Sequence, residues 1–195
     1  MDGVVTAGFT LAGFAAGLLV GGSRLVRVYD WETEWNIDVP LVEVYRVMTT
    51  PQEQERWWPS MQVQRVVAGP EGQPGGTIVY RVKQAASVAR LAPPFTITSM
   101  TNDVEPERRT RSVVTGDLIG VLETLFYARP DGGTRIRYHW YVRVRNPLLN
   151  VAGFFLEGMF RASHDHVMRE GEAGLQHYMR TVVAATPPAN ISAGG

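Results

Sequence analysis

The chain has 195 residues, one domain's worth of sequence, with 45% hydrophobic and only 19% charged residues. That balance excludes an intrinsically disordered protein. Nineteen basic side chains stand against 19 acidic ones and there is no cysteine, which excludes a nucleic-acid module held mainly by phosphate contacts, a disulfide framework, a thiolate metal site and a cysteine nucleophile.

Residues 3–23 carry no ionisable side chain between Asp2 and Arg24. As a helix, such a run reaches roughly 31 Å, the thickness of a bilayer's hydrocarbon. A single-pass transmembrane anchor is therefore expected. The main rival, a secretory signal peptide, normally carries a basic start, whereas this chain starts Met1-Asp2. Arg24 and Arg27 follow the run, so the positive-inside rule places the rest of the chain on the cytoplasmic side of the cell membrane. Gly13, Gly17 and Gly21 recur every four residues, the small-residue row through which two such helices pair, and a homodimer through them is the matching expectation.

From Val28 the pattern is mostly that of strands. Trp31, Thr33, Trp35, Ile37 and Val39 alternate with polar residues, which predicts a half-buried strand. Pro40 opens a helical stretch, and Pro51 opens a second short helix through Trp57. Strands are predicted over 61–68, 77–83, 95–102, 109–115, 117–128 and 134–144, with residues 84–94 ambiguous. The last strand is the clearest: Ile136, Tyr138, Trp140, Val142 and Val144 share one face, against Arg135, Arg137, His139, Tyr141 and Arg143 on the other. After Pro147 the period lengthens. Phe160, His164, Val167, Gly171, Leu175, Tyr178 and Val182 recur at three and four, predicting one long amphipathic helix over about 157–184. The chain thus divides into an anchor and flank (1–27), a folded domain (28–185) and a Pro/Gly/Ala-rich tail (186–195) expected to be disordered. A strand, two short helices, a run of antiparallel strands and a closing helix is an α+β order, in which a curved sheet buries its apolar face against that helix.

Trp35-Asn36-Ile37-Asp38-Val39-Pro40, Arg56-Trp57-Trp58-Pro59, Gly116-Asp117-Leu118-Ile119-Gly120 and the stretch His164-Asp165-His166-Val167-Met168-Arg169-Glu170-Gly171-Glu172-Ala173-Gly174-Leu175 occur in this order. Together they resemble the START-like or SRPBCC superfamily, in its bacterial polyketide cyclase/dehydrase branch. The resemblance implies a helix-grip fold, with a hydrophobic cavity between sheet and long helix. Members bind lipids, sterols, polyketides or other apolar ligands, and some are cyclases, dehydratases or hydrolases. The family has no shared catalytic residue to carry over, and by analogy Trp57 and Trp58 lie near a cavity entrance. The N-terminal apolar run is not part of the family's usual pattern.

Among candidate residues, His164 sits on the apolar stripe of the long helix, where an imidazole either orients a carbonyl and exchanges a proton or is simply a hydrogen-bonded core histidine. His164 and His166 point about 200° apart on a helix and cannot share a metal ion. No metal and no cofactor is expected, and the glycines of 69–76 lack the Lys-Ser/Thr of a phosphate-binding loop. Ser163, His164 and Asp165 are consecutive, the wrong geometry for a catalytic triad. His166 and Glu170 share a face expected to be solvated. Glu123 is a buried carboxylate only if its strand presents Ile119, Val121 and Leu125 inward, which the pattern leaves open. Tyr80, Tyr138 and Trp140 project inward to line a pocket or to pack. The candidate ligand-binding set is Trp57, Trp58, Tyr80, Tyr138, Trp140, Phe160 and His164. The leading expectation is binding, and possible transport, of a hydrophobic small molecule such as a lipid or polyketide-like compound. The alternatives are a cyclase/dehydratase-type enzyme and a structural or regulatory partner protein whose cavity is filled.

Overall fold

A computed structural model of the chain describes residues 26–67, 69, 74–83 and 94–185. Its elements follow the order β1 (Val28–Ile37), α1 (Leu41–Thr49), α2 (Pro51–Trp57), β2 (Met61–Val67), β3 (Thr77–Val82), β4 (Phe95–Glu105), β5 (Arg109–Gly116), β6 (Leu118–Ala128), β7 (Thr134–Val144) and α3 (Pro147–Ala185). The expected anchor, the Gly13/Gly17/Gly21 row, the ambiguous stretch 84–93 and the tail lie outside the described residues. Among the described residues no helix is long and apolar enough to cross a membrane.

The seven strands form one antiparallel sheet in the order β1-β7-β6-β5-β4-β3-β2. Bulges between Val63 and Arg65 and between Thr101 and Asp103 bend it, because an extra residue on one strand increases local twist. A single residue, Asp117, joins β5 to β6. Gly116 takes a φ of 109° there, a conformation open to glycine. The register confirms the parity expected of β7: Ile136, Tyr138, Val142 and Val144 are buried on the concave face, with Trp140 beside them half-buried.

The closing helix is longer than its periodicity suggests. It has 39 residues and begins at Pro147, ten residues before the expected start. Asn146 caps it, its Oδ1 accepting the backbone N–H of Leu148 at 3.0 Å and of Leu149 at 3.3 Å. The sequence Leu148-Leu149-Asn150-Val151-Ala152-Gly153-Phe154-Phe155-Leu156 is apolar nearly all round, so it has no polar face for a periodicity test to detect.

The helix settles on the β1 end of the sheet and on α2. Trp35, Trp57, Trp58 and Tyr138 form the centre of the core, with Trp35 5.2 Å from Trp58 and 4.7 Å from Tyr138, and the two adjacent tryptophans stacked at 5.4 Å. Gly171 and Gly174 let α3 approach: a Cβ on Gly171 would lie 2.7 Å from the Trp35 and Trp58 rings, and one on Gly174 would strike the Trp57 carbonyl. The helix also closes the exposed edge of β1. Glu172 Oε1 accepts the Asn36 N–H at 2.8 Å, and Gln176 Oε1 accepts the Asp38 N–H at 2.9 Å, blunting an edge that would otherwise template further strand pairing.

Candidate ligand-binding site

Two compartments of the interior are lined by described residues. The larger, about 510 Å³, lies between the concave face of β3 to β7 and the pair α1–α2, within the roughly 300–1,000 Å³ of small-molecule sites. The smaller, about 100 Å³, lies against α3, where Phe160, His164 and Val167 face Tyr29 and Trp31 of β1. Trp58, Met61, Ile97 and Trp140 line both and form the wall between them. The hollow expected between sheet and long helix is therefore the minor one. No described residue of α3 lines the major one, because the Trp35–Trp57–Trp58–Tyr138 cluster occupies the space between the helix and the sheet centre.

The candidate residues divide accordingly. Trp57, Tyr80 and Tyr138 line the larger compartment, Phe160 and His164 the smaller, and Trp58 and Trp140 stand in the wall. Trp57 and Trp58 are 1% and 4% exposed, so they sit deep in the molecule and not at an entrance. The Trp58 Nε1–H donates to the Val167 carbonyl at 2.9 Å, which ties the wall to α3.

No Asp, Glu, Lys, Arg or His lines the larger compartment among its described residues. Its polar groups are neutral hydroxyls and amides. Ser99 and Thr101 on β4, Thr110 and Ser112 on β5 and Thr124 on β6 face it, and the Thr101 and Ser112 hydroxyls lie 3.3 Å apart. The Tyr80 hydroxyl donates to Gln54 Oε1 at 2.5 Å, and burial pushes its pKa well up. The Tyr138 hydroxyl has no partner, and burial, with Tyr80 nearby, raises its pKa too. Both phenols stay protonated donors at neutral pH. Trp57 Nε1 and Trp140 Nε1 are likewise buried without a partner. An unsatisfied buried donor costs about 1–3 kcal/mol, and these three belong to side chains of the cavity wall. Sequence reasoning passed over the Ser/Thr residues. Their signal was small polar side chains on the inward parity of strands, as in Leu122-x-Thr124-x-Phe126.

His164 differs in kind. Its ring packs 4.4 Å from that of Trp31, its Nδ1 lies 3.4 Å from Asp165 Oδ1, and its Nε2 is buried without a partner. Burial lowers its pKa, with Asp165 opposing, so the imidazole is neutral at pH 7. It stands across the wall from Tyr80 and Tyr138.

The remaining candidates fall outside both compartments. Glu123 pairs in register with Arg111 and His139 on the convex face and lies 3.7 Å from Arg109, so it is no buried carboxylate. His139 meets Asp30 at 2.7 Å on that same face. Glu170 is not solvated as expected: it accepts from the Ser60 backbone N–H at 3.2 Å and, at closer range, from the Ser60 hydroxyl. His166 and His177 are exposed. Among the described residues no group of three or more His, Cys, Asp or Glu side chains is arranged to hold a metal ion.

A family model described as polyketide cyclase/dehydrase and lipid transport matches residues 30–179. No curated protein matches the chain. Among solved structures, the fold is similar to that of TTHA0849 from Thermus thermophilus (16% identity, 81% of this chain and 100% of that one, TM-score 0.59). It is also similar to the ZhuI aromatase/cyclase of a Streptomyces species (16%, 82% and 98%, 0.58) and to a protein from Rhizobium leguminosarum (16%, 78% and 97%, 0.55). At these identities the likeness is one of fold.

Proposed function

Because the chain belongs to the polyketide cyclase/dehydrase and lipid transport family, we propose that it binds a hydrophobic small molecule, of lipid or polyketide-like type, in the compartment beneath α1 and α2. The observation that carries this reading is the volume of about 510 Å³ walled by Trp57, Trp140, Leu122 and Phe126, with Ser99, Thr101, Ser112 and Thr124 among its lining residues. An apolar wall supplies affinity through buried area, and a few polar atoms fix orientation. Residues 3–23 serve as the membrane anchor and hold the domain on the cytoplasmic side, near the phase into which such a guest partitions.

The geometry favours binding over the cyclase-type alternative. Proton transfer needs an acid or base within hydrogen-bond reach of the reacting atom. Among its described residues the larger compartment offers no ionisable side chain but phenols with raised pKa values, and His164 lies beyond the wall.

The test is native mass spectrometry of the full chain released from membranes, beside Thr124→Phe. Thr124 is 6% exposed on the cavity wall, so the added ring occupies the space a guest needs. The expected result is a co-purified small molecule on the natural protein and none on the variant, with both folded. Equal retention by the two proteins, or none by either, contradicts the proposal.

A further inference from the structure

We propose that the corner where the chain enters the domain is a docking face for an anionic lipid bilayer. Val26, Val28, Tyr141 and Leu148 are 52%, 51%, 52% and 61% exposed. Three of them are neighbours on the convex side of β1 and β7. Val28 pairs with Arg143, and the next outward pair is Asp30 with Tyr141, which sets Val28 and Tyr141 diagonally on one face. The Val144 N–H donates to the Arg27 carbonyl at 2.9 Å, carrying the pairing on toward Val26 and Arg145. Leu148 projects from the first turn of α3 at the same end.

Arg143 and Arg145 are exposed at this corner. Of the acids on the same side, Glu157 pairs with Arg27 at 2.9 Å, Asp30 meets His139 at 2.7 Å, and Asp117 accepts from Asn146 at 2.9 Å and from the Thr96 N–H at 2.8 Å, while Glu32 is exposed one outward pair further along β1. Exposed valine and leucine beside a tyrosine and two arginines suit the headgroup layer, where aromatic and basic side chains collect and anionic lipids attract cations.

The sequence indicates which partner covers this corner. The uncharged run ends at Ser23, three residues before Val26. Three residues span at most about 10 Å, so a bilayer holding that run lies within reach of this corner whatever path the linker takes. The proposal rests on the anchor reading and is independent of what the cavity holds.

The absence of natural cysteine makes the test direct. Tyr141→Cys, Leu148→Cys and, as a distant control in the β4–β5 turn, Arg108→Cys are labelled with the polarity-sensitive fluorophore NBD. Each full-length variant is reconstituted into phosphatidylcholine vesicles with or without phosphatidylglycerol. Labels at 141 and 148 are expected to shift to the blue and brighten with phosphatidylglycerol while the label at 108 does not. Each arginine near an anionic surface is worth about fivefold, so Arg143→Ala with Arg145→Ala lowers the docked-to-undocked ratio about thirtyfold. Chains that float with the vesicles after carbonate treatment but keep 141 and 148 as polar as 108 overturn the docking face and leave the anchor standing. Chains that do not float overturn both. A shift that depends on protein concentration and not on lipid assigns the corner to a second copy and also overturns the proposal.

Discussion

His164 carries a pH signature that follows from its seat. Burial between Trp31 and α3 lowers its pKa below histidine's ordinary value of about 6.5. In the unfolded chain it therefore binds a proton first as pH falls. The stability it contributes is whole above that ordinary value and is lost as pH drops toward the folded pKa, at no more than about 1.4 kcal/mol per pH unit for one proton. Thermal unfolding of the full chain between pH 7 and pH 5 is expected to show this decline, and His164→Leu is expected to flatten it. An equal decline in the variant assigns the pH dependence to other groups. The position of this histidine on the apolar stripe of the helix was legible from its spacing to Phe160 and Val167. Its separation from Tyr80 and Tyr138 was not, because that depends on where two tryptophans at the end of α2 settle against the sheet.

At the scale of elements, what could be read was what repeats locally. The alternation of β7, from Thr134 to Val144, gave both its bounds and its buried face, since a half-buried strand writes its environment at period two. Strand β6 is apolar on both faces, so Glu123 was assigned only by its partners Arg111 and His139, which are set by long-range register. The first turns of α3 were missed because an all-apolar helix has no period to find. The same helix presses closest where it lacks side chains. At Gly174 a methyl group meets the Trp57 carbonyl, and backbone cannot yield as a flexible side chain does. Gly174→Ala is expected to destabilise the domain by about 1–3 kcal/mol, the usual range for overpacking. In a protein of this size that lowers the melting temperature by roughly 2–4 °C per kcal/mol. An unchanged melting temperature means that α3 does not sit against α2 as described.

For the whole molecule, the sheet, the α1–α2 pair and α3 do not close on one central void. The aromatic cluster that joins them packs the region under α3 and leaves the open volume under the short helices. Its lining, which includes Val66, Val67 and Gly76, reaches toward the β2–β3 end, while the proposed bilayer-facing corner lies where β1 begins. The family resemblance led to the right fold, and the residues it singled out divide between the two compartments on either side of Trp58 and Trp140, because that division is made by side-chain volumes meeting across four elements. The most direct measurement is the position of a neutral, bromine-bearing ring compound, 6-bromo-2-naphthol, located by anomalous scattering in crystals of the full chain. The bromine is expected within the compartment bounded by Trp57, Phe126, Tyr138 and Trp140. A peak confined to the protein surface, or no peak at saturating concentration, would contradict the account.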